Sequence, residues 1–367
     1  MWGVVVASMS AATDFKGLLV SRFFLGIFEA TVAPAFITIT QMVGSLLTFG
    51  LGHIKGSLKS YQIIFLFIGC VTIAFSPIVL LVLPDSPTTA KFLNQDDKII
   101  ALERLRANNQ GTENKVWKWE QVWDVVKDPK TYLWFSLLFL CALPSGGISA
   151  FGPLIIQGFG FSQFHTILFN IPFSAFSVIC VLLSAYVTTK IKLKWPVVFF
   201  LCLPPIAGAS ALLVLPRGAA MKNKLLGTYY VLSIYSALQP MLYTWSSQNT
   251  AGHTKKLCTT GLVFVAQCTG NIVGPLLYTT AESPYYHTGL VADLVCWILL
   301  AVMTLVTAAY LSFLNRQHAA IRERLGKTGT TIDTSLEKSG GVQGQARNDQ
   351  SFLDLTDSQN EDFIFAL

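Results

Sequence analysis

Apolar runs, many of them close to twenty residues long, recur along the chain and are parted by short stretches where Lys, Arg, Asp and Pro collect. A helix needs about 20 apolar residues to cross about 30 Å of hydrocarbon. On that measure the pattern predicts spans at 1–12, 17–40, 41–52, 61–83, 131–150, 166–189, 195–215, 225–246, 257–280 and 288–314, with 1–12 and 41–52 short. Six full spans follow residue 130 and about four precede it. The expected fold is an all-α polytopic membrane protein of about nine to ten spans, with the lipid bilayer as its solvent.

Leu83-Pro84-Asp85-Ser86-Pro87 stops the fourth run, since no helix continues through that spacing of prolines. Four regions follow: a partial bundle at 1–83, a central loop at 84–130, a six-helix bundle at 131–314 and a tail at 315–367. Two short helices are expected in the loop. In NQDDKIIALERLR, Asn94 caps and Asp96 and Asp97 favour the positive helix end. In KVWKWEQVWDVVKDP, Trp119, Val122, Trp123 and Val126 recur at helical spacing beside lysines, which suits a membrane interface, and Asp128-Pro129 ends the helix. From about residue 328 the composition turns to Gly, Ser, Thr, Gln and acids, so the tail is expected to be largely disordered. Its last stretch, FLDLTDSQNEDFIFAL, is either a short linear motif or a solvated end.

Composition agrees: of 367 residues 52% are hydrophobic and 13% charged, against about a quarter charged in soluble domains. The net charge of +6 is no nucleic-acid signature, because the basic residues sit in short loops between apolar runs. If the spans alternate, one side carries seventeen Lys and Arg and the other six. The positive-inside rule makes the richer side, with the C-terminus, cytoplasmic. The seven cysteines lie within apolar segments and form no C-x-x-C pair, and the five histidines lie at loops or span ends without metal-ligand pairing. No phosphate-binding loop or nucleophile elbow occurs, so no enzyme, cofactor or metal is expected.

The stretch SRFFLGIFEA places Arg22 and Glu29 inside an apolar run. An arginine at a helix centre costs roughly 2.5 to 3.5 kcal/mol, so such charges usually face a bundle interior or a water path. Seven residues apart, the two share one face at about 10 Å of rise, and Gly26 between them lets another helix approach. Arg22 could instead snorkel to the headgroups; Glu29 is mid-span, where burial favours a carboxyl that takes up and releases a proton. In the second half the interior polarity is neutral: Asn170, Gln239, Tyr243, Trp245, Asn249, Gln267 and Asn271. Such groups line a ligand cavity by directed hydrogen bonds beside aromatic surface, or join helices at about 0.6 kcal/mol each. Gly270, Gly274 and Pro275 suggest close helix packing or a kink.

RFFLGIFEATVAP (22–34), LPDSP (83–87), PSGGISAFGPLIIQGFGFS (144–162) and NTAGHTKKLCTTGLVFVAQCTGNIVGP (249–275) together resemble the fungal allantoate permease family, the anion:cation symporters of the major facilitator superfamily. The terminal LDLTDSQNEDF also resembles that family's tail. The resemblance implies two six-helix bundles around a central site and proton-coupled import of a small organic anion or vitamin, such as allantoate, nicotinate, pantothenate or a biotin-like compound. It implies a plasma-membrane protein, taken here as a monomer, with Glu29 as proton carrier and Arg22 as its charge partner or an anion attractor. Counted from the motif, residue 1 falls in the family's third helix and a second gap falls near Gln41, so the N-terminal half is expected to be incomplete. Ser145 stands where the family commonly has Asn. The alternative is a non-transporting truncated product or a membrane-embedded nutrient sensor acting through loop and tail.

Overall fold

The computed structural model describes residues 117–161, 163–216, 221–324, 354–361 and 363–367, with the single positions 50, 90, 94, 95 and 98. Expectations for the first four spans, Arg22, Gly26 and Glu29 among them, lie outside the described residues, as does most of the first short loop helix.

Helix α1, Trp119–Lys127, is followed at once by α2, Pro129–Gly158. Asp128 separates them: its backbone is extended and its side chain accepts from Lys130 N at 3.0 Å. Pro129 then opens α2, where a missing N–H costs nothing. On α1 Trp119, Trp123 and Val126 are exposed while Gln121 and Val125 are buried. The indoles therefore face outward, as at a membrane interface.

Next come α3 (Gln163–Ile191), α4 (Trp195–Val214), α5 (Lys222–Leu232), a 3-10 turn at Ser233–Ala237, α6 (Leu238–Gln248), α7 (His253–Leu276) and α8 (His287–Arg324). Five of these helices, α2, α3, α4, α7 and α8, are long and apolar enough to cross a membrane. The sixth span expected, 225–246, comes in three pieces. Pro240 has no N–H to give the Ser236 carbonyl, and Ser233 Oγ donates to Tyr230 O at 2.7 Å, so the ladder tightens locally into 3-10 geometry. Two ends also differ from expectation. Helix α2 runs to Gly158 rather than 150, and α8 continues to Arg324 rather than 314. At 38 residues α8 is about 57 Å long, so it carries Arg316, Arg322 and Arg324 beyond the hydrocarbon.

Helix α2 is the hub, with α7 along one side and α8 along another; α8 also packs on α4. The α2–α7 crossing is close because both helices present small residues. A Cβ at Gly274 would overlap the Leu143 carbonyl oxygen, and one at Gly270 would lie 2.7 Å from Ala142 Cβ. Pro275 stands one residue before the end of α7. Trp134, Trp245 and Trp297 are fully buried. Phe176, Leu183, Phe264, Ile272 and Val302 are exposed on the outer helix faces, where lipid is the natural solvent for an apolar side chain.

The tail departs from the expected disorder where it is described. Residues 354–361 and 363–367 pack on the end of the bundle where Lys118, Lys130, Lys255 and Arg322 meet them, called here the basic end, and Phe363 and Phe365 are buried in its core cluster. Apolar side chains close this segment onto the helices, which a solvated end could not do.

Candidate functional site

The neutral polar residues of the bundle separate into two groups. Tyr243 on α6 donates its hydroxyl to Gln267 Oε1 on α7, a bridge between neighbouring helices. Asn170 on α3 and Gln239 on α6 are half-buried, and Asn271 on α7 is exposed with its backbone against Gly146 of α2. Trp245 and Asn249 meet the tail. Trp245 Nε1 donates to Ala366 O at 2.8 Å, and Asn249 Nδ2 donates to Ala366 O at 3.0 Å and Trp245 O at 2.8 Å. Both side chains are 0% exposed. Among these candidates Tyr243 and Gln267 are thus brought together, while Trp245 and Asn249 bind the chain's own C-terminal segment.

At the basic end a charge network ties four parts of the chain. Lys255, 1% exposed, places Nζ 2.8 Å from Asp128 Oδ2, 3.1 Å from Asp357 Oδ1 and 3.3 Å from Asp124 Oδ2. Lys130 Nζ pairs with Asp357 and lies 3.3 Å from Asp128 Oδ2, with the Phe365 ring beneath it at 4.3 Å. A cation over an aromatic face gains electrostatically from the ring quadrupole.

The tail also finishes helix α7. Its N-cap Gly252 has φ 89°, a left-handed conformation that only glycine adopts without strain, and it offers no side-chain cap. The orphan amides find acceptors elsewhere, His253 N on Asp354 Oδ1 at 2.7 Å and Lys255 N on Gln121 Oε1 at 3.2 Å, and just before the helix Ala251 N donates to Asp357 Oδ1 at 3.3 Å. Carboxylates at a helix N-terminus are doubly favoured, by hydrogen bonding and by the macrodipole. Lys118 Nζ completes this side, 2.9 Å from Asp354 Oδ2. Burial pushes the Asp354 carboxyl upward, but the His253 amide and Lys118 outweigh it and hold the group below the usual carboxylate range. Asp124 behaves alike: burial raises it, and the Ser358 hydroxyl, 2.7 Å away, with the Lys255 charge brings it below its ordinary value.

Further along, Asn315 and Phe365 exchange two hydrogen bonds, His318 Nδ1 is 3.2 Å from Phe363 O, Arg322 donates to Glu361 O at 3.0 Å, and Lys194 N donates to Leu367 O at 2.6 Å. A cleft of about 380 Å³ lies between α1, α8 and the tail, lined among others by Lys127, Tyr310 and Ser358.

At the opposite end of the bundle Asp293 of α8 is 0% exposed, and Tyr278 donates its hydroxyl to Oδ2 at 2.6 Å. Tyr278 stacks on Phe151 at 5.0 Å, and its ring fills the space left by Gly147 and Gly289. Asp293 Oδ1 has no hydrogen-bond partner among the described residues. In sequence Asp293 is one acid six positions into the apolar run 288–314, which the neutral reading of that half left out, and nothing in the spacing joins Asp124, Asp128, Lys130 and Asp357 as one cluster. The usable signal for the second was the density of charge in 118–130 and 354–361; nothing in sequence pairs the two.

Residues 35–275 match the family model of the Major Facilitator Superfamily. The chain belongs to this superfamily. Among relatives, an uncharacterized transporter of Schizosaccharomyces pombe is 31% identical over 390 residues, covering 100% of this chain and 71% of that protein. The thiamine pathway transporter of Saccharomyces cerevisiae is 29% identical over 394 residues (100% and 70%). The allantoate permease of the same yeast is 28% identical over 405 residues (100% and 70%). Membership of the major facilitators agrees with the helical, multi-pass architecture and places this facilitator among transporters, not enzymes.

Proposed function

We propose that this chain is a proton-coupled importer of a small organic anion or vitamin, allantoate-, nicotinate-, pantothenate- or biotin-like, acting as a monomer in the plasma membrane with its basic end and C-terminus in the cytoplasm. The observation that carries the coupling is Glu29 in mid-run, with Arg22 seven residues before it and Gly26 between. A carboxyl there takes up a proton from outside and releases it inside as cargo passes, and Arg22 attracts the anion or balances the ionised carboxylate. Relatives named for allantoate and for the thiamine pathway support a small organic cargo. The Tyr243–Gln267 bridge supports a polar lining between α6 and α7.

Uptake of labelled allantoate, nicotinate and pantothenate into vesicles, with and without an inward proton gradient, tests this. The gradient should raise accumulation, and Glu29→Gln should remove that gain, at least about tenfold, while sparing exchange of cargo. Uptake indifferent to the gradient eliminates the coupling. A second reading, a membrane-embedded nutrient sensor or a non-transporting product, is favoured by the packed tail, through which a sensor would signal. It predicts ligand binding with no accumulation.

A further inference from the structure

We propose that Ser358 is a phosphorylation site whose phosphate releases the C-terminal segment from the basic end of the bundle. This rests on the reading of that end as cytoplasmic, where ATP and serine kinases are found. Ser358 and Gln359 are exposed at a turn, although the segment around them is anchored by the buried Thr356, Asp357, Phe363 and Phe365. Acidic residues crowd the serine in sequence, with Asp354 and Asp357 before it and Glu361 and Asp362 after it. That is the peptide chemistry an acid-directed kinase, with a basic substrate groove, accepts. In the transfer, Ser358 Oγ bonds to the γ-phosphorus of ATP, the bond from that phosphorus to the β–γ bridging oxygen breaks, and ADP leaves with the electron pair. The hydroxyl proton passes to the kinase's general base.

The consequence follows from what the hydroxyl touches. Ser358 Oγ donates to Asp124 Oδ2 at 2.7 Å. A phosphate removes the donor and sets a charge of about −1.5 to −2 against a carboxylate. Cations in the same cleft could draw the phosphate inward instead, so their commitments decide the sign. Lys255 is already shared by Asp124, Asp128 and Asp357, and Lys130 by Asp128 and Asp357. His318 faces Phe363 O. Lys127 is exposed, and an exposed lysine on a flexible stem contributes little. Repulsion at hydrogen-bond distance therefore prevails. A kinase needs an extended peptide, so it acts on the released segment, and the phosphate then blocks return; modification shifts a population that already exists.

The test uses the full chain in detergent or nanodiscs, Mg-ATP and an acid-directed serine kinase. Mass spectrometry locates the phosphate, and amide hydrogen exchange follows residues 354–367, with α2 and α7 as internal reference. Phosphate should appear on Ser358 and speed exchange of the segment at least about tenfold. Ser358→Ala should block the effect, Ser358→Glu should give a smaller change of the same sign, and Asp124→Asn should blunt the response to phosphate. No phosphate at Ser358, or a phosphorylated chain whose segment exchanges unchanged or more slowly, overturns the proposal. Should Ser358→Glu disturb the reference helices, the phosphorylated wild-type chain decides alone. Transport is read separately, so a failure of proton-coupled uptake leaves this result standing.

Discussion

Lys255 and Lys130 at one end of the bundle, and Asp293 at the other, are all removed from water, yet they are treated in opposite ways. At the basic end Lys255 and Lys130 are met by carboxylates of α1, of the Asp128 junction and of the tail, and Asp357 also accepts from the Ala251 amide. Asp293 has one phenol, a wall of aromatic rings and an oxygen without a partner among the described residues. A charge that is fully met is fixed in place, because moving any member strands the others. A carboxyl held by a single donor is free to change its state with little rearrangement. The comparison teaches that burial alone does not mark a working group; incomplete satisfaction does, and on that ground Asp293 stands beside Glu29 as a residue to test for proton traffic.

The largest effect should come from breaking the satisfied end. Lys255→Met keeps the aliphatic stem but leaves Asp124, Asp128 and Asp357 without their common cation. Removing one partner of a buried ion pair typically costs about 3 to 5 kcal/mol. Thermal unfolding of the detergent-solubilised protein should shift accordingly, with residues 354–367 exchanging first. A loss below about 1 kcal/mol would place the network in the class of exposed pairs and remove one side of the comparison.

At the other end the effects should be smaller and asymmetric. Tyr278→Phe keeps the ring packed against Phe151 but deprives Asp293 of its donor, which costs about 1 to 3 kcal/mol for a buried group left unsatisfied. Asp293→Asn retains an acceptor for the Tyr278 hydroxyl and should cost less. In the uptake assay the order should reverse, because Asn cannot exchange a proton whereas the Tyr278→Phe protein keeps its carboxyl. If Asp293→Asn is silent in transport at every proton gradient, Asp293 is structural like its counterparts at the basic end.

The spans after residue 130 were legible because apolar runs near twenty residues have few other uses, and α1 was legible from its tryptophan spacing and the Asp128-Pro129 stop. Their ends were less so. The expected span 131–150 already ran through Pro144, but α2 also passes Pro153 and continues to Gly158, since neighbouring helices hold the freed groups that an isolated helix would leave open. Trp245 and Asn249 read as cavity residues because an indole and an amide in an apolar run look like ligand chemistry. The chain supplies the ligand itself, from Ala366, 121 and 117 positions away. No periodicity carries a pairing over that distance, and a tail rich in polar residues shows its few anchoring aromatics only once the groove beneath them is known.

Acid should separate the two ends most gently. Asp124 of α1 and Asp354 of the tail are both held below their ordinary values while the tail is docked. A depressed carboxyl contributes stability that is fully present above its unfolded pKa, about 3.9 for Asp, and that stability is lost as pH falls through the folded value. The contribution of these two carboxylates to docking should therefore be flat from pH 7 to about pH 5 and weaken below about pH 4. Both groups are partly open to solvent, which screens their partners, so the change should be gradual. The anisotropy of a fluorophore attached at the exposed Gln359 would report it, high while the segment is held and falling on release. Asp354→Asn should flatten the acid limb, since His253 N and Lys118 would then face a neutral acceptor at every pH. Release centred near neutral pH would contradict the assignment of these carboxylates as the holding groups, and would shift attention to His318, which meets the tail through Phe363.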